Sequence, residues 1–278
     1  SVMLQCTTHH KGMDMIENKI SNFISPQTIV VIGASSREGS LGKIIVQNLL
    51  SGGIAKQSVS IVNPKHRRVL DIPCYATVGD LEHSPDLAVI VSPPKTVPSL
   101  ITELGQKGTR SAGFSEGNSV SGKRLEEQML KEARKYNVRI VGPNCLGIIS
   151  PINKLNASFS HLMPKEGKIG VISQSGAMLT SIIDWACGRG IGFSHLVSLG
   201  DMADIAFSEV LDAMSIDPQT EAILIYMEST QHARRFISAA RSASRTKPVV
   251  VLKVGRSDAG SKAVTSHTGA MAGSDDVY

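Results

Sequence analysis

Short runs of branched aliphatic residues alternate along the chain with longer segments that place apolar residues at helical spacing. This alternation predicts parallel β-sheets with helices on both faces. The predicted strands of the first half are Thr28–Ile32, Val59–Val62, Leu87–Val91, Thr109–Ala112 and Val138–Val141, and the predicted helices are Leu41–Leu50, Val97–Gln106 and Lys123–Tyr136. The pattern predicts a tail over residues 1–20 and a doubly wound nucleotide-binding domain over residues 21–150.

The second half repeats this alternation after a bridge, residues 150–165, that is rich in Pro, Asn and Ser and has no clear periodicity. Its predicted strands are Lys168–Ile172, Phe193–Val197, Glu221–Tyr226 and Val249–Val254, and its predicted helices are Ala177–Cys187, Ile205–Met214 and Ala233–Ala243. We therefore predict a smaller open parallel sheet in a second α/β domain over residues 151–278. No helix is predicted after the last strand, so we expect the chain to be one piece of a longer enzyme.

Composition narrows the class of protein. The 278 residues give room for two domains, and 41% hydrophobic, 19% charged and 4% aromatic residues are typical of an aliphatic α/β protein. The formal net charge is +5, but no basic run is longer than Lys65-His66-Arg67-Arg68. Nucleic acid is therefore not an expected partner, whereas a phosphorylated small molecule fits this charge.

The sequence predicts neither membrane insertion nor secretion. No apolar stretch reaches the roughly 20 residues that span a bilayer, and residues 1–12 lack the charged and apolar parts of a secretory signal. The four cysteines, Cys6, Cys74, Cys145 and Cys187, are widely spaced and form no Cys-x-x-Cys pair. We expect no disulfide framework, no metal site and a reducing cytoplasmic setting.

A first glycine- and serine-rich turn lies between a predicted strand and a predicted helix. It contains Gly33, Ser35, Ser36 and Gly39 and leads to Lys43 in the helix. Free N–H groups and the dipole at a helix start attract phosphate, and glycine lets the backbone approach it closely. Asn63-Pro64-Lys65 follows the next strand, where a dinucleotide-binding protein would carry an acidic residue for the ribose. A phosphate site is therefore favoured over an NAD site and over an ordinary turn.

Two later strands also end in distinctive residues. Ser92-Pro93-Pro94 gives a stiff turn that would suit the wall of an adenine pocket or would simply end the strand. Asn144 and Cys145 lie in Gly142-Pro143-Asn144-Cys145-Leu146-Gly147. A nucleophilic cysteine needs an activating base, and none is evident nearby, so a structural role or a place beside a thioester is favoured for Cys145.

A second strand, turn and helix occurs at Ile172-Ser173-Gln174-Ser175-Gly176-Ala177. Ser175 is the expected N-cap, and the N–H groups that follow would form a second anion site, the alternative being a capped helix with no ligand. Ser173 stands where the nucleophile turn of a serine hydrolase requires glycine, which disfavours that class.

A glutamate and a histidine are the candidate reacting pair. Glu228 ends a predicted strand, and His267 lies in the small-residue loop Ser266-His267-Thr268-Gly269-Ala270. A carboxylate that accepts a hydrogen bond from one imidazole nitrogen would leave the other nitrogen free to attack phosphorus. A solvated surface glutamate is the alternative for Glu228. Asp201 and Asp204 are expected to border the same crevice, without a role that the sequence can assign.

Taken together, these segments resemble the α part of the NDP-forming acyl-CoA synthetases, relatives of succinyl-CoA synthetase. The resemblance spans nearly all of residues 21–278 and rests on the Gly142–Gly147, Ile172–Ala177 and Ser266–Ala270 motifs, with Ala272-Gly273-Ser274 behind the last. It implies an α/β protein in which a CoA-binding Rossmann-like domain is followed by a flavodoxin-like ligase domain. It also implies that His267 is phosphorylated and that Glu228 orients it.

The resemblance extends to the ligand sites. It implies a phosphate site at Ser173, Ser175, Gly176 and Ala177, and a CoA site at Gly33, Ser35, Ser36, Gly39, Lys43, Lys65, Pro93 and Pro94, with Asn144 and Cys145 near the thioester. The implied reversible reaction converts acyl-CoA, ADP and phosphate into acid, ATP and CoA. Mg²⁺ and the nucleotide would bind an ATP-grasp domain or subunit that this chain lacks, within an oligomer.

The sequence is also compatible with two other functions. The stretches Ala233–Arg245 and Leu155–Ser160 also resemble the synthetase-like region of bacterial protein lysine acetyltransferases, which would make the chain a non-catalytic CoA or acyl-CoA sensor. The intact His267 favours catalysis. A nicotinamide-dependent oxidoreductase is disfavoured by Asn63-Pro64-Lys65.

Overall fold

The computed structural model describes residues 20–115, 123–230 and 232–255 and arranges them around two β-sheets. The seven strands of the first sheet are β1 (Ile29–Ile32), β2 (Val59–Val62), β3 (Arg68–Val69), β4 (Ile72–Tyr75), β5 (Leu87–Ile90), β6 (Ser111–Ser115) and β7 (Arg139–Cys145). Their order is β3-β4-β2-β1-β5-β6-β7, and every pairing is parallel except that of β3 with β4. Helices α1 (Leu41–Gly52), α2 (Val97–Lys107) and α3 (Lys123–Tyr136) connect the strands, together with 3₁₀ turns at Lys56–Ser58 and Pro94–Thr96.

Helices cover both faces of this sheet, and the central strand β1 shows why. All four of its residues are buried. Ile29 and Val31 pack in the cluster that contains Ile45 of α1, whereas Val30 and Ile32 pack in the cluster that contains Ile101 and Met129 of α2 and α3. Because successive side chains of a strand point to opposite faces, an unbroken aliphatic run can serve both layers.

The second sheet has six strands in the order β13-β12-β10-β11-β8-β9. They are β8 (Gly147–Ser150), β9 (Leu155–Ser158), β10 (Glu166–Ser173), β11 (Phe193–Ser198), β12 (Ala222–Met227) and β13 (Val249–Lys253). Strands β10 to β13 pair in parallel, whereas β8 is antiparallel to both β11 and β9. Helices α4 (Gly176–Cys187), α5 (Phe207–Ile216) and α6 (Ala233–Ala243) and a 3₁₀ turn at Pro151–Asn153 complete this part.

The prediction of an aperiodic bridge over residues 150–165 was wrong. Residues 155–158 form β9, and all four are buried. Two of them are polar, and Ser158 Oγ donates to Asn156 Oδ1 over 2.6 Å. Leu155-Asn156-Ala157-Ser158 does alternate apolar and polar residues, but the run is only four residues long and contains Asn and Ala, which are depleted in strands, so the pattern missed it.

One hydrophobic core runs through both sheets. A single cluster joins Ile29, Val31 and Ile45 of the first sheet and its helix to Ile172 and Val197 of the second. Helix α1 also crosses to the second sheet, where Asn48 Nδ2 donates to the carbonyl oxygens of Ser158 and Ser160, both at 2.8 Å. None of the helices in the described ranges is long and apolar enough to cross a lipid bilayer.

Candidate functional site

A groove opens between the carboxyl ends of β1 and β5, where the strand order of the first sheet reverses direction. Ligands of open α/β sheets bind at such a switch point. The groove has a volume of about 520 Å³, and it brings the predicted residues Gly33, Lys65 and Pro93 together. Pro94 begins the 3₁₀ turn behind Pro93 and is not among the lining residues.

The floor of this groove requires glycine at position 33. Gly33 has a φ of +95°, and a Cβ there would stand 2.9 Å from the backbone nitrogen of Ser92. Gly42 has a similar constraint that the sequence reasoning did not single out, because a Cβ there would stand 2.5 Å from Cα of Ala34. Gly42 is the third glycine after Gly33 and Gly39, and this spacing was the sequence signal for it. A third glycine at such a place usually allows the helix to pack closely on the turn.

The turn before α1 is held by its own serines and leaves the helix start without a side-chain cap. Ser35 Oγ donates to Ser40 Oγ over 3.1 Å, and Ser40 Oγ reaches the carbonyl of Ser35. Ser40 occupies the N-cap position but makes no side-chain cap hydrogen bond. The first N–H groups of α1 therefore have no side-chain cap to compete with an anion, and the exposed Ser36 and Gly39 leave the approach open.

The two predicted lysines differ in their surroundings. Lys43 pairs with the carboxylate of Glu38, which is 89% exposed. Lys65 is exposed at the groove mouth, and its backbone nitrogen donates to Asn63 Oδ1 over 2.9 Å. Asn63 Nδ2 also donates to the carbonyl of Ala34 over 2.7 Å, so the residue that replaces the expected acid ties the end of β2 to the first turn.

A second turn of the predicted kind starts α4 at the end of β10. Ser175 is the N-cap, and its Oγ accepts a hydrogen bond from Met178 N over 3.3 Å. Ser173 is fully buried, and its Oγ donates to the carbonyl of Ser175 over 2.7 Å. Strand β10 lies between β11 and β12, so this helix start also faces a switch point.

Gln174 organises this turn, although the sequence reasoning gave it no role. Its Oε1 accepts hydrogen bonds from the backbone nitrogens of Glu228 and Ser229, at 2.9 and 3.0 Å. It thereby joins the end of β10 to the end of β12. An amide side chain between two serines directly after a buried strand was the available signal, but the partner lies 54 residues away in sequence.

Glu228 is a buried carboxylate and not a solvated surface residue. Its exposed fraction is 2%, at the carboxyl end of β12. Burial, and then the charge of Glu228, raises the pKa of the neighbouring Tyr226 phenol. His267, the predicted partner of Glu228, lies outside the described residues, so their pairing stays a prediction.

The end of β7 packs against the second turn. Asn144 is half-buried and has a φ of 55°, Cys145 is buried, and Leu146 N donates to Ser198 Oγ over 3.0 Å. A Cβ on Gly176, at the start of α4, would stand 3.2 Å from Cβ of Leu146. The second turn therefore packs directly on the residue that follows Asn144 and Cys145.

Asp201 and Asp204 lie where the segment after β11 runs along β7. Asp204 Oδ2 accepts hydrogen bonds from Ile140 N at 2.8 Å and from Arg139 Nε at 2.9 Å. Asp204 therefore ties the second sheet to the first. Asp201 Oδ1 accepts a hydrogen bond from Asn144 Nδ2 over 3.3 Å, so it reaches the predicted thioester end.

A serine, a histidine and an aspartate also meet inside the second sheet. Ser150 Oγ lies 2.8 Å from His195 Nδ1, and His195 Nε2 lies 3.0 Å from Asp217 Oδ2. Burial would raise the pKa of Asp217, but hydrogen bonds from His195 and Thr220 outweigh it and lower that pKa to about 2. Ser150 is 0% and His195 1% exposed, so no substrate reaches them and the network is structural. Across the described ranges, no group of three or more His, Cys, Asp or Glu is placed to hold a metal ion.

Two family models match successive parts of the chain. Residues 27–151 match a family model described as a CoA binding domain. Residues 166–278 match one described as a succinyl-CoA ligase like flavodoxin domain. Fold and site thus define a CoA-binding α/β protein with a second domain of the succinyl-CoA ligase type, which confirms the predicted fold class.

Three individual relatives show which members of this family the chain is similar to. The chain is 43% identical to ADP-forming acetate–CoA ligase I of Archaeoglobus fulgidus over 91% of its own length and 37% of that protein. It is 40% identical to the alpha subunit of ADP-forming acetate–CoA ligase I of Pyrococcus furiosus, over 91% of this chain and 56% of that one. Among solved structures, a dinucleotide-forming acetyl-coenzyme A synthetase 1 of Ca. Korarchaeum cryptofilum, in complex with phosphate and ADP, has a TM-score of 0.86 and 34% identity, over 94% of this chain and 57% of that one.

The chain belongs to the NDP-forming acyl-CoA synthetases and corresponds to their CoA-binding part. It spans between about one third and three fifths of the length of the three relatives named above. The relatives support the ligase interpretation and give no support to the acetyltransferase-sensor alternative.

Proposed function

We propose that this chain catalyses the CoA-side half of an NDP-forming acyl-CoA synthetase reaction. In this half-reaction, phosphate attacks the thioester of acyl-CoA, and the phosphoryl group of the resulting acyl phosphate passes to His267. The observation that carries the proposal is the contact of Gly176 with Leu146, since it sets the start of α4 against the Asn144-Cys145 end of β7. A thioester at that end would lie beside a helix start that suits a phosphate.

We propose that CoA occupies the groove of the first sheet. Gly33, Ser35, Ser36 and Gly39 would surround a phosphate at the start of α1, where no side chain caps the helix. Lys65 and Lys43 would supply positive charge, although Glu38 competes for Lys43. Pro93 would line the groove with Pro94 behind it, and Asn144 and Cys145 would lie at the thioester end.

For phosphoryl transfer we propose Ser173, Ser175, Gly176 and Ala177 as the phosphate site and His267 as the carrier. The transferred charge spreads over the phosphoryl oxygens, so positioned N–H groups can provide much of the stabilisation. Glu228, buried at the end of the strand that Gln174 ties to this turn, would fix the imidazole by accepting its N–H. A neutral imidazole whose second nitrogen is free is an effective nucleophile.

The second half of the reaction would need a partner. We propose that an ATP-grasp domain or subunit receives the phosphoryl group and supplies Mg²⁺ and ADP, within an oligomer. The naming of a Pyrococcus furiosus relative as an alpha subunit supports a division of the enzyme into parts. We also propose a reducing cytoplasmic setting, since Cys74 and Cys187 are free thiols.

The half-reaction can be tested on the chain itself. Incubation with acetyl-CoA and radiolabelled phosphate is expected to give acid-labile label on the protein, and calorimetry is expected to show CoA binding. His267→Ala should abolish the label and leave CoA binding within about twofold of wild type. Label that persists in His267→Ala would overturn the carrier role, and CoA binding without any label would overturn the catalytic proposal in favour of a sensor.

A further inference from the structure

The loop after β11 and the end of β7 hold each other in a fixed arrangement. Asp201 N donates to the carbonyl of Pro143 over 2.9 Å. Gly200 has a φ of +55°, and a Cβ there would stand 2.1 Å from Pro143 O and 2.4 Å from Asn144 O. Only a residue without a side chain permits this approach, so the position of Asp201 relative to Asn144 is set by the backbone.

The side chain of Asn144 is oriented from this loop. Its Nδ2 donates to Asp201 Oδ1 over 3.3 Å. An amide nitrogen carries two hydrogens, so one donor is taken and the second remains for another acceptor. An ionised carboxylate accepts and does not donate, so it also determines that Nδ2 and not Oδ1 of the amide faces Asp201. Asn144 is half-buried and Asp201 exposed, so the pair is accessible from solvent.

Glu126 and Asp204 are acidic neighbours of Asp201 in the part of the chain that the structure describes. Glu126 lies on α3. Burial raises the pKa of Glu126 most, and the nearby charge of Asp201 is the second cause. On the segment of Asp201 itself, Asp204 is already paired with Arg139. Although the residue as a whole is exposed, partial desolvation of its carboxyl group raises the pKa of Asp201, and the hydrogen bond from Asn144 opposes that rise because it favours the ionised form.

We propose that Asp201 is a positioning residue that fixes the amide of Asn144 so that its second N–H donates to the thioester carbonyl oxygen of bound acyl-CoA. The proposal rests on the proposed function, which places the thioester beside Asn144. It gives a role to a carboxylate for which the sequence had none.

The step in which this donor would act is the attack on the thioester. An oxygen of HPO₄²⁻ forms a bond to the carbonyl carbon, and the carbonyl oxygen takes up negative charge. The C–S bond then breaks, its electron pair leaves on sulfur, and the proton lost by phosphate ends on the thiol of CoA. A donor fixed toward the carbonyl oxygen stabilises the charge that develops, and one such donor contributes about 10²–10³ in rate.

The experiment is the initial rate of label incorporation from radiolabelled phosphate with acetyl-CoA varied. Asn144→Gly keeps a residue suited to the positive φ and removes the donor, so the maximal rate should fall about 100-fold. Asp201→Ala leaves the amide free to turn and should lower the maximal rate about tenfold with little change in KM. Asp201→Asn can still accept through its Oδ1 and should stay within about threefold of wild type. Glu127→Ala on the exposed side of α3 is the matched control and should equal wild type.

The double variant separates positioning from a general structural role. If Asp201 acts through Asn144, adding Asp201→Ala to Asn144→Gly should cause no further loss. Losses that multiply in the double variant, or an Asp201→Ala protein as active as wild type, would overturn the inference and leave the proposed function intact. An Asp201→Asn rate as low as that of Asp201→Ala would instead assign Asp201 to proton transfer. A wild-type chain that takes up no label defeats the proposed function itself.

Discussion

At the scale of single residues, the groove of the first sheet depends on Gly33, which has a hydrogen atom in place of a side chain. The backbone of Ser92 lies where a Cβ would go, and the positive φ disfavours any other residue. A methyl group at this position would push the ends of β1 and β5 apart at the point where the groove begins.

We therefore expect Gly33→Ala to weaken CoA binding by about tenfold or more, equivalent to at least about 1.4 kcal/mol. Gly190→Ala is the matched control, since Gly190 also has a positive φ of +71° but its Cβ would meet only Lys165 Nζ, at 3.9 Å. It should lose stability through backbone strain, about 1–2 kcal/mol, and bind CoA as wild type does. Calorimetric titration with CoA and denaturant unfolding compare the two. Equal CoA affinities in both variants would show that the groove floor does not contact the ligand.

The sequence identified several residues of the site by type but not by partner. Glycines and serines after a strand have a local signature, so Gly33 and Ser175 could be singled out from their own surroundings. Gln174, Asp204 and Asp201 act through contacts 54, 64 and 57 residues away. Single-sequence periodicity carries no information on such pairs, because they form only when two strand ends are brought to one edge.

At the scale of elements, the start of α4 combines two functions that can be separated. Ser175 caps the helix through Met178 N, and the same helix start is the proposed phosphate site. An aspartate caps a helix as well as serine does and suits its dipole, but its charge repels phosphate.

Ser175→Asp should therefore keep the free energy of unfolding within about 0.5 kcal/mol of wild type. Its rate of label incorporation should fall at least tenfold, since like charges about 4 Å apart repel by more than ~1 kcal/mol. Ser175→Ala should show the opposite balance, with about 1 kcal/mol of stability lost and a smaller loss of rate. Denaturant unfolding and the labelling assay measure both quantities. A stable Ser175→Asp protein that takes up label normally would place the phosphate elsewhere.

The hairpin of β3 and β4 was missed because its turn has no sequence signature. The hairpin of β3 and β4 turns at Leu70 and Asp71, whose φ angles are 48° and 57°. A two-residue turn with both φ angles positive usually contains Asn-Gly or Gly-Gly, and Leu70-Asp71 lacks that sequence signature. By contrast, the bounds of β1, β2 and β5 were predicted to within one residue. Parallel strands that are buried on both faces appear in the sequence as unbroken aliphatic runs.

At the scale of the whole molecule, the two sheets are built as one unit. The hydrophobic cluster that crosses between them and the Asp204 contacts to β7 both join residues distant in sequence. The groove and the second turn belong to different sheets, so under the proposed function the rigidity of this junction would set how well CoA and phosphate are aligned.

We expect Asp204→Ala to weaken the junction, because Arg139 loses its partner and the N–H of Ile140 loses its acceptor. The free energy of unfolding should fall by about 2–3 kcal/mol, the cost of leaving such groups unpaired. Glu221→Ala is the matched control, since it removes an ion pair between Glu221 and Lys168, whose side chains are 62% and 66% exposed, and it should cost at most about 0.5 kcal/mol.

Fluorescence of Trp185, the single tryptophan, reports on α4 beside the second sheet, and far-ultraviolet circular dichroism reports on the whole chain. The two probes should give one coincident transition in the wild type, because a core shared by both sheets cannot be exposed in one of them alone. Separate transitions in the wild type would mean that the sheets unfold independently and that the shared cluster contributes little to alignment of the site.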